Sequence, residues 1–398
     1  MIVAGALLAL PAAAATRGQI SYDGCLADDA TDGCVDLLAT PLTGASGVAV
    51  SPDGGSVYIA SFNSHSIAHF FRGPDGQLSY DGCLADDGAD GCGDLPATPL
   101  TGASGLAVSP DRGSVYVASP LSNSVAHFFR APQGQLSYGG CLANDGANGC
   151  GDLPFAPLTG ASAVAVSPDG GSVYVASPFN DSVAHFFRAP QGQLSYGGCL
   201  ANDGANGCGD LPFAPLTGAS GVAVSPDGGS VYVASPFSDS VAHFFRAPDG
   251  QLSYGGCLAN DGANGCGDLP FAPLDGAREV AASPDGGSVY VASDSSDSIA
   301  HFFRKPQGQL VYDRCLANTA ADGCGDLPLA PLDGARRVAV SPDGGSVYVS
   351  SFFSNSIAHF LRAAATPPPA PPPPPPAPPA PPPPPPAPPA PAPPAEAR

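Results

Sequence analysis

Tryptophan is absent from this 398-residue chain, methionine occurs only at position 1, and lysine only once, at Lys305. The shortage of positive charge is the most restrictive of these absences. Lys and Arg together number 14 against 35 Asp and Glu, for a net charge of −21. Nucleic-acid phosphates are bound by clustered basic side chains, so a DNA or RNA partner is excluded. Anionic membrane surfaces are disfavoured on the same ground, and the acidity serves solubility or the attraction of cations. No apolar run reaches the roughly 20 residues that a membrane-spanning helix needs. The longest, residues 2–15, ends in small residues and has the form of the apolar core and cleavage site of a secretory leader over residues 1–16. It lacks a basic start, which leaves room for further chain, even another repeat, before it. The 3.6-residue periodicity of amphipathic helices is missing throughout. So are the G-x-S-x-G elbow, the H-E-x-x-H zinc motif and the phosphate-cradling P-loop.

What is present is a repeat. Six units of 58 residues begin at Gly18, Gly76, Gly134, Gly192, Gly250 and Gly308 with no insertion. The units starting at Gly134 and Gly192 differ only at Ala163/Gly221, Asn180/Ser238 and Gln191/Asp249. Each unit reads as four short strands: VAV, SVYVAS, SVAHFF and GQLSY. The first two are joined by SPDGG, where Pro fixes φ, Asp closes a side-chain turn and Gly supplies a positive φ. The chain opens on a fourth strand, Gly18–Tyr22, and closes on three strands within Val338–Leu361. Pairing the two ends completes a sixth blade. The expected fold is therefore all-β: a six-bladed β-propeller of 58-residue repeats over residues 18–365, closed by the N-terminal strand so that no edge is left exposed. Residues 366–398 are a Pro-rich tail, extended as polyproline II and without packed structure.

Twelve cysteines fall two to a unit, with eight residues between the members of each pair. An even count at constant spacing behind an export leader reads as a disulfide framework. The expected pairs are Cys25–Cys34, Cys83–Cys92, Cys141–Cys150, Cys199–Cys208, Cys257–Cys266 and Cys315–Cys324; bridges between neighbouring blades are the alternative. No His lies near enough to suggest zinc. The expected location is secreted, periplasmic or cell-surface, and the expected state a monomer.

The VAVSPDGGSVYVAS stretches Val164–Ser177 and Val222–Ser235, each followed by SVAHFFR, resemble bacterial YVTN-type propellers and the related lactonase-like propellers over residues 18–362. The resemblance implies the propeller fold and, as one function, a lactonase-like hydrolase. Two departures qualify it: the added cysteine segment, and six units where lactonase-type propellers usually have seven.

Near-identical repeats supply copies of one environment, whereas catalysis needs different groups in different roles. The leading expectation is therefore not an enzyme. It is a binding or scaffold module whose loop face meets an extracytoplasmic protein, a glycan or a small molecule through many weak contacts. A lactonase-like hydrolase is the alternative, and a surface protein without a specific ligand the third reading. The loop face is expected to carry Phe62, Leu121, Phe179, Phe237 and Phe352 at its tips, with Phe155, Phe213 and Phe271 beside them. Symmetry breaks where TGAS becomes DGAR in the last two units: Asp275, Arg278 and Glu279, then Asp333, Arg336 and Arg337. An anionic substrate would be sought there. No cofactor or metal is expected. Asp86, Asp87, Asp90 and Asp94 offer oxygen ligands that suit calcium, but the matching Asn144, Asp145, Asn148 and Asp152 dilute the carboxylates and no unit has EF-hand spacing. The repeated His69, His127, His185, His243, His301 and His359 read as structural, and His65 as surface variation.

Overall fold

The computed structural model describes residues 26–28, 35–37, 40–74, 77–320, 323–327, 330–342, 344–351, 353 and 356–362. The chain divides into two units at Ala363/Ala364. The leader, the strand Gly18–Tyr22, the pair Cys25–Cys34 and the Pro-rich tail lie outside the described residues. The described strands form a six-bladed β-propeller with one mainly antiparallel sheet per 58-residue step, plus a two-stranded sheet, Leu26–Ala27 with Val35–Asp36. The second blade shows the plan. Gly105–Val108, Ser114–Ser119, Ser124–Arg130 and Leu136–Ala143 run antiparallel in that order.

The blades differ from expectation in having a fifth strand. After the disulfide, Gly151–Asp152 returns parallel to Leu142–Ala143. The bridges Cys83–Cys92, Cys141–Cys150, Cys199–Cys208, Cys257–Cys266 and Cys315–Cys324 are all formed within their own unit. They tie the fourth strand to the turn before the fifth, and they indicate an oxidising, extracytoplasmic environment. Among the described residues no helix is long and apolar enough to cross a membrane.

The SPDGG hairpin forms as its residues dictate. The Gly170 amide donates to the Ser167 carbonyl at 2.8 Å, the Gly171 amide to Asp169 Oδ1 at 3.0 Å, and Gly170 takes φ +71°. The core lies between blades. Tyr116, Ala118 and Val125 of the second blade pack against Val164, Val173, Val175 and Phe186 of the third. Arg188 clamps the same junction from its 4 % exposed side chain. Its Nε donates to Tyr116 Oη at 2.7 Å and its Nη2 to Asp111 and Ser114, while Tyr116 Oη donates back to the Gly192 carbonyl at 2.6 Å. Burial would push the Asp111 carboxyl up. The hydrogen bonds from Ser109, the Gly113 amide and Arg188 outweigh it and hold the pKa below the ordinary value. Arg130, Arg246, Arg304 and Arg362 repeat the clamp.

The sixth blade has three described strands, Ala335–Val340, Ser346–Ser351 and Ser356–Leu361. Leu26–Ala27 pairs parallel with Val35–Asp36, as the outer edge of every other blade does, and Leu37 is buried against Val57, Ala68 and Phe70 of the first blade. Among the described residues this pair forms a two-stranded sheet of its own. On the first blade Val48 and Val50 are 65 % and 53 % exposed, whereas Val164, Val222, Val280 and Val338 are buried against the blade before them.

Candidate functional site

A cavity of about 620 Å³ lies where the innermost strands converge. One residue per repeat, always at the same phase, lines it: Ser46, Ser104, Ser162, Ser220, Arg278 and Arg336. The small serine lets neighbouring strands approach. Ser162 Oγ donates to the Ser220 carbonyl at 3.1 Å and Ser220 Oγ to the Arg278 carbonyl at 2.8 Å, so the hydroxyls sew blade to blade. At the last two blades the same position carries a guanidinium. Arg337 joins them, with Gly44, Phe62 and Asn63 of the first blade and Ser350 and Ser351 of the sixth completing the wall.

Arg278 Nε donates to Asp294 at 2.5 Å, and Arg337 Nη1 donates across the blade junction to Glu279 at 2.6 Å. Burial pushes the Glu279 carboxyl up, against the opposing charge of Arg337. Burial also pulls the Arg336 pKa down, and the charge of Arg278 adds to the effect. Three guanidiniums therefore line one cavity, with the carboxylates of Asp294 and Glu279 behind two of them, in a chain of net charge −21. This concentrates positive potential where an anion can enter.

Of the residues singled out in the sequence, Arg278, Arg336, Arg337 and Phe62 meet at this cavity. Asp275 and Asp333 do not line it; the Asp275 carbonyl instead accepts from the Ser295 and Ser296 amides, and the Asp333 carbonyl from the Phe353 amide. Leu121, Phe179 and Phe237 stand at loop tips, 56 %, 73 % and 69 % exposed. Phe352 lies outside the described residues. The repeat register puts Phe353, not Phe352, in the tip position, and it is 63 % exposed. The tip rings cover glycines: a methyl built on Gly160, at φ +77°, would lie 2.6 Å from the Phe179 ring. Phe155, Phe213 and Phe271 similarly cover Gly207, Gly265 and Gly323 of the next unit and stay about half-exposed. Asp86 is engaged as a structural acceptor for the Leu100 amide and the Thr101 hydroxyl, at 2.8 and 2.7 Å. No group of three or more metal-ligating side chains occurs among the described residues. His65 is not free surface variation: at φ +49° it occupies a turn position, and its Nδ1 accepts from the Gly102 amide of the next blade at 3.0 Å.

The strand histidines hold a second constellation that the sequence did not disclose. His69 Nε2 lies 3.0 Å from Ser56 Oγ and its Nδ1 2.9 Å from Asp81, and Ser288, His301 and Asp313 repeat the arrangement. The order resembles that of a nucleophile, base and orienting acid. Ser56 is buried, however, and its Oγ also accepts from Arg130 and lies beneath Gly134. In these positions the set is structural. The acid sits 12 residues after the histidine, on a bulge in the partner strand, a relation that only the strand register reveals.

The family model described as lactonase, 7-bladed β-propeller matches residues 85–206. The fold is a lactonase-like β-propeller. A periplasmic gluconolactonase from Pseudomonas aeruginosa superimposes with a TM-score of 0.57 at 19 % identity, covering 83 % of each chain. A Bacteroides uniformis protein provisionally described as a 6-phosphogluconolactonase gives 0.57 at 19 %, covering 83 % of this lactonase-like chain and 84 % of the other. A functionally unknown protein from Desulfotomaculum acetoxidans gives 0.55 at 14 %, covering 82 % and 84 %. No curated protein matches the sequence.

Proposed function

We propose that this exported propeller is a lactonase-like hydrolase whose substrate is a small lactone bearing an anionic group, a carboxylate or phosphate. The observation that carries the reading is the replacement of Ser by Arg at two of six equivalent positions around the channel cavity. A near-symmetric ring thereby acquires one distinct, positively charged sector. Planar guanidiniums match carboxylate and phosphate oxygens in pairs. A guanidinium is also suited to stabilise the oxyanion that forms as water adds to the lactone carbonyl, before the ring C–O bond breaks and the alkoxide takes up a proton. Asp294 and Glu279 hold Arg278 and Arg337 in place. The family match over residues 85–206 and the gluconolactonase fold neighbours support the reading.

The test is the opening of gluconolactone and its 6-phosphate by the full chain. The variant is Arg278→Ser with Arg336→Ser, which restores the residue of the other four repeats. The expected result is opening faster than buffer, with kcat/KM for the phosphorylated lactone at least ten-fold lower in the variant and thermal unfolding unchanged. Opening no faster than buffer for both lactones would remove the hydrolase. It would leave the loop-face reading, a module docking on an envelope partner through Leu121, Phe179 and Phe237, which their exposure supports.

A further inference from the structure

The leading face of the first blade is bare where the same face of every other blade is covered by the blade before it. Leu42, Ala45 and Ile59 are partly or wholly open to solvent, although their equivalents in the other five blades are fully buried, and Val48 and Val50 stand exposed beside them. The arginine clamp is open at the same place. Arg130, Arg188, Arg246, Arg304 and Arg362 each donate through Nε to a tyrosine hydroxyl of the preceding blade. Arg72, their equivalent, is exposed, and among the described residues it donates only to the Gly54 carbonyl of its own blade, at 3.4 Å. Outside this face lies an incomplete sheet. Leu26–Ala27 and Val35–Asp36 repeat the outermost two strands of a blade, and Leu37 seats them on Val57, Ala68 and Phe70 of the first blade. In a complete blade the equivalent residues also pair inward with the third strand, as Leu142 does with Val125 and Ala143 with Ser124. The described residues of the sixth blade take no part in the Leu37 cluster. Its Ser350, where the other units have Ala, and its Arg337 line the channel cavity instead.

We propose that this face is a docking surface for a partner polypeptide that carries a three-stranded blade of the same repeat chemistry. The five blade junctions within the chain define what the partner must present. Its second strand needs a tyrosine whose hydroxyl accepts from Arg72 Nε, as Tyr116 does from Arg188 at 2.7 Å. Its first hairpin needs an Asp and a Ser for Arg72 Nη2, as Asp111 and Ser114 serve Arg188 at 2.8 and 3.1 Å. Its third strand pairs antiparallel with Leu26–Ala27 and so closes an unpaired strand edge. Small and β-branched side chains on the same strands cover Val48, Val50 and Ile59, as Tyr116, Ala118 and Val125 cover Val164, Val173 and Val175. A strand pair, an apolar contact and a directed guanidinium together select this partner over an unspecific apolar one. The surface is separate from the arginines of the channel.

The experiment measures maleimide labelling of the full chain carrying Val48→Cys, with Leu121→Cys at a loop tip as the reference. The probe is a synthetic segment of residues 163–188, the three inner strands of the third unit. Without it, both cysteines should label at similar rates. With it, labelling at position 48 should slow saturably, by about ten-fold or more, with half-protection on the order of ten micromolar, while position 121 is unaffected. Tyr174→Phe in the segment, or Arg72→Gln in the chain, should each raise the half-protection concentration about ten-fold, because each breaks the clamp. Should the free segment aggregate, residues 163–191 joined directly ahead of Gly18 present the same strands in the repeat's own register, and the same protection is expected. The proposal is overturned if position 48 labels slowly in the chain alone, which would mean that the chain's own sixth blade covers the face. It is also overturned if neither form of the segment protects position 48, or if protection is indifferent to both Tyr174→Phe and Arg72→Gln.

Discussion

Lowering the pH from 7 to 4.5 should unfold this propeller through three histidines. Burial pushes His127, His185 and His243 down to about 4, with the charges of Arg188, Arg246 and Arg304 adding to the effect. An unfolded histidine titrates near 6.5. The folded state therefore stays neutral while the unfolded state takes up a proton, so stability is full above about pH 6.5 and falls as the pH drops toward 4. The gap of about 2.5 pH units corresponds to about 3 kcal/mol per histidine. Near pH 5 the three together give a slope of about 4 kcal/mol per pH unit. Their sum of about 10 kcal/mol is comparable with the whole stability of a typical domain. His69 shifts in the same direction, burial outweighing Asp81. The raised carboxyls of Asp86, Asp239 and Glu279 oppose the trend, because each takes up its proton at a higher pH when folded than when unfolded. The assay is the urea midpoint from pH 7.5 to 4.5, for the parent and for His127→Gln/His185→Gln/His243→Gln. The triple variant removes the three titrating groups and should flatten the slope. A midpoint constant between pH 6.5 and 4.5, or an unchanged slope in the triple variant, would refute the reasoning.

Tyr116→Phe removes the hydroxyl that donates to the Gly192 carbonyl and accepts from Arg188, leaving two buried groups unpaired. It should cost about 2–3 kcal/mol in urea unfolding without altering lactone opening. Replacing Cys141 and Cys150 by Ser should cost about 2–3 kcal/mol, because the loop the bridge closes is short; a loss above ~5 kcal/mol would mean that the bridge also supports packing between blades.

The repeat made most of the propeller legible. VAV, SPDGG, SVYVAS and SVAHFF each carry their own strand or turn chemistry, and 58-residue spacing multiplies one local solution into six. Local reasoning failed where contact depends on packing. The fifth strand has only two residues, Gly151–Asp152, too few to show a period. Phe353 was missed at the loop tip because Phe352 beside it is equally apolar. The arginines were legible as a break in symmetry, since DGAR departs from TGAS, but the same motif gave no sign that its Asp would point elsewhere.

By itself, then, the sequence determined the strands, the turns, the disulfide partners and the count of blades, because these depend on residues close together in the chain. Only the tertiary structure decided what converges. Six positions 58 residues apart become one ring because the blades are arranged about a common axis. The same packing sets Arg278 and Arg336 on a shared cavity. It also leaves a buried imidazole nitrogen unpaired where Asp gives way to Gly on a bulge, since a bulge aims its extra residue at the strand across from it.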